Sequence, residues 1–82
     1  MHDFGIAPNP ARDYIKVQFK APAGDFALRL IDTTGKTYFS ENILKTTGFY
    51  KTEIDLSQAP TGMLILVVVH DGKEFTKKIM KQ

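Results

Sequence analysis

The most restrictive feature of this sequence is the run of apolar residues MLILVVV at positions 63–69. A membrane-spanning helix needs about 20 such residues, so this run is too short to cross a bilayer in that form. Its β-branched residues, together with the glycine before it and the Asp-Gly pair after it, favour a strand instead. Because polar residues do not interrupt the run, we expect this strand to be buried on both faces.

A β-hairpin is predicted directly after the run. Asp71 and Gly72 form the dipeptide most typical of a two-residue hairpin loop. KEFTKKIMK at Lys73–Lys81 then follows as the second arm. A segment as β-prone and uncharged as MLILVVV aggregates when it is uncovered, so one expected role of this arm is to cover it.

Further short segments, most of them alternating apolar and polar residues with period two, predict additional strands. They are YIKVQFK, DFALRLID, TYFSENI and FYKTEIDL, at 14–20, 25–32, 37–43 and 49–56. APAG at 21–24 is predicted to end the strand YIKVQFK. The strand TYFSENI is predicted to bend near Glu41 and Asn42. The fold class predicted is therefore all-β, with six or seven short antiparallel strands in a sandwich that covers the apolar faces.

Residues with special backbone or side-chain chemistry mark the turns between these strands. Asp32 can accept hydrogen bonds from backbone N–H groups, proline lacks a backbone donor, and glycine permits positive φ. The predicted turn residues are Pro8, Asn9, Pro10, Asp32, Gly35, Pro60, Gly62, Asp71 and Gly72.

Size and composition exclude several classes of function. The chain has 82 residues, which suits a single domain with little room for a deep substrate cleft. It has no cysteine, and so neither disulfides nor a thiolate zinc site. The net charge of +2 is too small to indicate nucleic-acid binding. The N-terminus MHDFGIAPNP lacks the basic and apolar regions of a secretory signal peptide.

Candidate catalytic groups are few, and each has a structural explanation. His2 and His70 do not form a metal-binding spacing, and Ser57 lies in a predicted turn without a nucleophile-elbow pattern. Glu53 and Asp55 lie about 7 Å apart on one strand face, but alternation already explains them as solvated charges. We therefore predict no enzyme activity, no cofactor or metal, and no small-molecule or nucleic-acid partner.

Four sequence blocks, in order, resemble those of a known family. They are PNPARDYIKVQF at 8–19, LIDTTGK at 30–36, IDLSQAPTGMLILVVV at 54–69 and KEFTKKIMK at 73–81. Together they resemble the C-terminal sorting domain, type A, of the type IX (Por) secretion system, from about Ala7 to Gln82. One departure is Leu64, which stands where the family usually has a tyrosine and so lacks a phenolic hydroxyl.

The resemblance implies an immunoglobulin-like sandwich that acts as a non-catalytic secretion and sorting signal. Such domains follow the cargo region of exported Bacteroidetes proteins and direct the cargo through the periplasm and the outer-membrane translocon to the cell surface. The implied partners are the translocon, its shuttle proteins and a sortase-like peptidase that removes the domain. On this interpretation, residues 1–6 are a linker or an artificial N-terminal extension, and residues 7–82 form the sorting domain.

The last strand carries lysines on both faces, which the burial of the neighbouring strand does not explain. An inward-facing Lys77 is typical of an edge strand, and a β-bulge near it is an alternative that would rotate it outward. We expect the secretion machinery to recognise this strand, and an unpaired edge would also accept a partner strand or form a dimer. The predicted recognition residues are Lys77, Lys78, Ile79, Met80 and Lys81.

A function of a different class is also open. The chain could be an immunoglobulin-like accessory or carbohydrate-binding module of a surface enzyme or adhesin. Modules of that kind usually present exposed aromatic platforms, and this chain has no tryptophan.

Overall fold

Five antiparallel strands make up the fold seen in a computed structural model, which describes the backbone of residues 4–82 and the side chains of residues 5–19, 24–43 and 49–82. The strands are β1 (Phe4–Ala7), β2 (Tyr14–Asp32), β3 (Thr37–Asp55), β4 (Gly62–His70) and β5 (Lys73–Lys81). No helix occurs among the described residues, and hence none that could span a membrane.

β2 and β3 are long enough to run through both sheets of a sandwich. The first sheet contains β1, residues 14–21 of β2 and residues 48–55 of β3. The second sheet contains residues 26–32 of β2, residues 37–43 of β3, and β4 followed by β5. Counting β2 and β3 once in each sheet gives seven strand segments, which confirms the predicted all-β sandwich.

The prediction that residues 21–24 end the strand is wrong, because β2 continues through them. The pairing of β2 with β3 shifts register between Ala21 and Gly24 and again between Gly24 and Phe26. Gly24 has φ of 133°, a conformation that side-chain-bearing residues rarely adopt. The glycine therefore produces irregular pairing where the strand passes between sheets. β3 is likewise one strand where the sequence predicted two.

The core lies between the two sheets and is formed by the apolar residues of the predicted alternation. Leu64 is fully buried, so this position keeps its apolar role without the phenol. The ring centroids of Phe19 and Phe26 lie 5.1 Å apart, which joins the two sheets. Fully burying a side chain of this size contributes about 1.5–3 kcal/mol. The largest fully buried side chains are Ile15, Val17, Leu28, Leu30, Ile54, Leu56, Leu64, Leu66, Val68 and Ile79.

Burial of β4 on both faces is only partly correct. Its inward side chains are fully buried, and Val67 on the outer face is 4% exposed. At the start of the strand, however, Met63 is 40% exposed, and Ile65 is half-buried. The outer face is exposed there because, within the described part of the chain, the sandwich has two layers and nothing packs over that end of β4.

Candidate recognition surface on the last strand

β5 is an edge strand, as its inward lysine suggested. Among the named strands of the described residues it pairs with β4, from Lys73 opposite His70 to Lys81 opposite Gly62, and an isolated parallel bridge joins Lys81 to Ala11. The register runs without a shift, so the alternative of a bulge near Lys77 is wrong. Lys77 lies opposite Leu66, on the inward face, and is nevertheless exposed because it stands at the margin of the sandwich.

The five predicted recognition residues fall into two groups. Ile79 is fully buried in the core, and Lys81 is half-buried. Lys77, Lys78 and Met80 are exposed, with Met80 46% accessible. We call these last three residues the exposed triplet. A partner approaching the folded domain can contact the exposed triplet, whereas Ile79 is out of reach.

Lys81 holds together a turn that is distant in sequence. Its Nζ donates to the backbone oxygens of Leu56, at 2.7 Å, and Ala59, at 2.6 Å. These carbonyls belong to the turn that joins β3 to β4, which Ala59 N tightens by donating to Leu56 O at 3.0 Å. A charged donor to two carbonyls is a strong pairing, so this side chain serves the fold.

The carboxylate of Asp55, at the end of β3, lies next to the same turn and is affected by the charge of Lys81. Ser57 N donates to Asp55 Oδ1 at 2.8 Å, and this bond is the main reason that the pKa of Asp55 is lowered, with a bond to the Ser57 side chain and the positive charge of Lys81 adding to it. Ser57 is thus a turn residue, as expected. Pro60 is exposed in this turn, and Gly62 ends it with φ of 111°.

The segment at positions 8–11 lies along the edge of β5 that faces away from β4, and we call it the PNPA clip. Its Ala7–Pro8 and Asn9–Pro10 peptide bonds are cis. Ala11 N donates to Met80 O at 2.8 Å, and Gln82 N donates to Ala11 O at 2.7 Å. Asn9 Oδ1 accepts from Met80 N at 3.2 Å, and Asn9 Nδ2 approaches Lys78 O at 3.5 Å. The clip therefore acts as a short extra strand along the end of β5.

The turn at 32–36 is closed by its own aspartate. Asp32 Oδ1 accepts from Thr34 N at 2.8 Å, Thr34 Oγ1 at 2.6 Å and Lys36 N at 3.1 Å, while Oδ2 accepts from Tyr38 Oη at 2.9 Å. Gly35 adopts φ of 92°. The hydrogen bonds, led by that from the Thr34 side chain, hold the pKa of Asp32 at about 2.

The predicted hairpin loop between β4 and β5 has positive φ at both central residues, 53° at Asp71 and 75° at Gly72. This combination matches the twist of the flanking strands. His70 stacks on Phe26, with ring centroids 4.2 Å apart, and its Nδ1 lies 3.2 Å from Asp25 O. His70 therefore serves as a packing residue at the mouth of the hairpin.

The geometry of the described residues gives little support to a metal site or to an aromatic binding platform. Among the described residues, which exclude His2, no group of three or more His, Cys, Asp or Glu is placed to hold a metal. Tyr14 and Phe49 are exposed, at 40% and 70%. Phe49 pairs with Lys20, six residues along β2 from Tyr14, so the backbone positions of the two aromatics are about 20 Å apart by strand rise, too far for one shared platform.

Sequence reasoning missed the PNPA clip and the role of Lys81. PNP was identified only as a turn signal, and Lys81 was grouped with the other basic residues. Both contacts join segments that are far apart in sequence, 71 residues in the case of Asn9 and Met80. Local sequence patterns do not predict contacts over such a separation.

Comparison with known proteins identifies a family for this chain. The family model of the secretion system C-terminal sorting domain matches residues 5–82, which is nearly the whole chain. No curated protein matches it. The sequence-based boundary at residue 7 falls inside β1, whose pairing with β2 begins at Phe4.

Proposed function

Because this chain belongs to the family of secretion system C-terminal sorting domains, we propose that the exposed triplet on β5 is where the secretion machinery contacts it. A domain of this family is a type IX sorting signal, which implies export across the outer membrane to the cell surface or the extracellular space. The family is non-catalytic.

The observation that supports the proposal is that some side chains of β5 are engaged within the fold while others are exposed to solvent. Ile79 and Lys81 contribute to the core and to the turn at 57–62. Lys78 and Met80 instead project from the outer face of an edge strand, beside Met63 and Ile65 of β4. A cation next to exposed methionines offers a partner both charge and adaptable apolar contact.

The route and fate of the domain follow from the family as proposals. The translocon and its shuttle proteins would carry the folded domain, and a sortase-like peptidase would remove it. Since β1 is paired from Phe4 onward, a cut that releases the whole sandwich lies before that residue. An unpaired edge strand would also offer a route to a dimer.

The test uses a reporter that carries a signal peptide and this domain in a host with a type IX system. We expect the reporter to reach the cell surface, and the double variant Lys78→Ala, Met80→Ala to reduce surface display at least about tenfold, equivalent to roughly 1.4 kcal/mol of binding free energy.

Arg29→Ala is the matched control, because it removes an exposed cation from β2 on the same sheet. Thermal melting of both purified variants separates recognition from stability. Full export by a double variant that melts like wild type would refute the proposed contact surface.

A further inference from the structure

The open side of β5 already accepts backbone pairing over part of its length. The PNPA clip bonds to Met80 and Gln82 there through Ala11, and Asn9 completes the pairing at Met80 N. The pairing of the clip with β5 ends at Asn9, whose amide nitrogen is 3.5 Å from Lys78 O. This edge is therefore shaped to take an extended partner, and the chain itself supplies one for the C-terminal end only.

Beyond the clip, residues 74–78 present an open edge. Backbone groups of alternate residues point to the same side of a strand, so the outward bonds of Met80 place those of Thr76 and Glu74 on the open side as well. Within residues 4–82, neither has a backbone partner on that side. Unpaired groups of this kind are a template for another strand.

The charges of β5 indicate the chemistry of such a strand. β5 contains four lysines and one glutamate, and Lys81 is engaged within the domain. Lys73 and Lys78 are exposed at the two ends of the open stretch, where they favour carboxylates on the incoming chain. The other edge of the same sheet, residues 37–43, has Glu41 as its one charged residue and lacks this preference.

Resting on the proposed export function, we infer that residues 74–78 bind an extended acidic segment of a partner protein, which adds a strand to the second sheet by β-augmentation. Backbone hydrogen bonds to Glu74 and Thr76 hold the segment, and its carboxylates lie beside Lys73 and Lys78. This mode requires the N–H of Thr76, which recognition by side-chain charge alone does not.

Thr76→Pro isolates that requirement. The nitrogen of residue 76 faces the open side, so proline removes a donor that the β4 ladder does not use, and edge strands tolerate proline in that orientation. Thr76→Ala is the matched control, since it removes the side chain and keeps the N–H. We expect surface export of the reporter to fall about tenfold for Thr76→Pro and to be unchanged for Thr76→Ala.

A second pair of variants covers the case in which Thr76→Pro does not fold. The Thr76 side chain is exposed on the outer face, so we expect both Thr76→Glu and Thr76→Lys to fold like the wild type. Glutamate repels an acidic segment and lysine attracts it. Export is expected to fall for Thr76→Glu and not for Thr76→Lys, and equal export by the two would overturn the inference.

Binding can be measured without export by titrating the isotope-labelled domain with a synthetic peptide of repeated Thr-Glu pairs. We expect NMR shifts centred on the amides of Glu74, Thr76 and Lys78, and none with a matching Thr-Lys peptide. Shifts centred on Met63, equal binding of both peptides, or binding of anionic phospholipid vesicles in place of the peptide would overturn the inference.

The outcomes distinguish this inference from the function on which it rests. Failure of the wild-type domain to export the reporter would refute the proposed function, and the peptide titration would then decide on the edge by itself. Wild-type export that a folded Thr76→Pro variant leaves unchanged would refute β-augmentation alone.

Discussion

The turns at 32–36 and 57–62 both reverse the chain between long strands, but they are closed by different means. In the first, Asp32 gathers four hydrogen bonds from residues at most six positions away. In the second, the outward carbonyls of Leu56 and Ala59 are satisfied by Lys81, more than twenty residues later. The first turn can form alone, whereas the second is complete only when β5 is in place.

The largest effect is expected from Lys81→Ala. It removes the charged donor to two carbonyls in the turn at 57–62, and the half-buried position limits their replacement by water. We expect the free energy of unfolding to fall by about 2 kcal/mol. Denaturant unfolding measures this loss. Lys78→Ala, on the same strand, is the control, and an equal loss in both variants would mean that the turn does not depend on Lys81.

A smaller effect is expected from Asn9→Ala, which tests the other long-range contact to β5. The substitution removes the acceptor of the Met80 N–H, and the free energy of unfolding should fall by about 1 kcal/mol. Hydrogen exchange at the Met80 amide should accelerate as well. Asn9→Asp keeps the acceptor and should protect that amide; unprotected exchange in Asn9→Asp would argue against this bond.

Acid titration distinguishes the two turns through their aspartates. The pKa of Asp32 is about 2 in the folded protein, against an ordinary value of 3.8, so its charged form stabilises the fold above pH 3.8. This contribution is lost as the pH falls from about 4 towards 2. We expect Asp32→Asn to flatten the loss of stability in that window, measured by unfolding at several pH values. An unaltered slope would contradict the lowered pKa.

The smallest effect is expected from the electrostatic coupling between Lys81 and Asp55, which the turn at 32–36 lacks. The positive charge of Lys81 contributes to the lowered pKa of Asp55, whereas Asp32 owes its lowered pKa to hydrogen bonds within its own turn. In Lys81→Met, the pKa of Asp55 should therefore rise slightly and that of Asp32 should not change. NMR titration of the two carboxyl groups measures both, and a matching shift of Asp32 would show that the turns are not independent.

The sequence predicted those parts of the molecule whose causes are local. Alternation located the inward residues of β2 and of the second half of β3, and Asp71-Gly72 located the last hairpin. The turn at 32–36 was predicted with the correct acceptor, because Asp32 and its donors lie within one short segment. Period and turn chemistry are sufficient where an element is determined by its own residues.

The errors lie where distant segments determine the structure. The glycine at position 24 suggested a break, but the pairing of β2 with β3 carries the strand through it. The contacts of Lys81 with the turn at 57–62 were missed for the same reason, because a basic residue near Lys77 and Lys78 gives no sign that its ammonium lies against carbonyls across the fold. Hydrophobic periodicity can be recognised from neighbouring residues in the sequence, but a side-chain contact between distant segments cannot.

The PNPA clip also has a mechanical consequence. The chain enters through β1, and the clip that follows grips the far end of β5. If the chain is peeled away from its N-terminal side, β1 therefore has to detach from β2 before the clip is reached. The pairing of the clip with the end of β5 would be lost only in a second step, after β1 has been released.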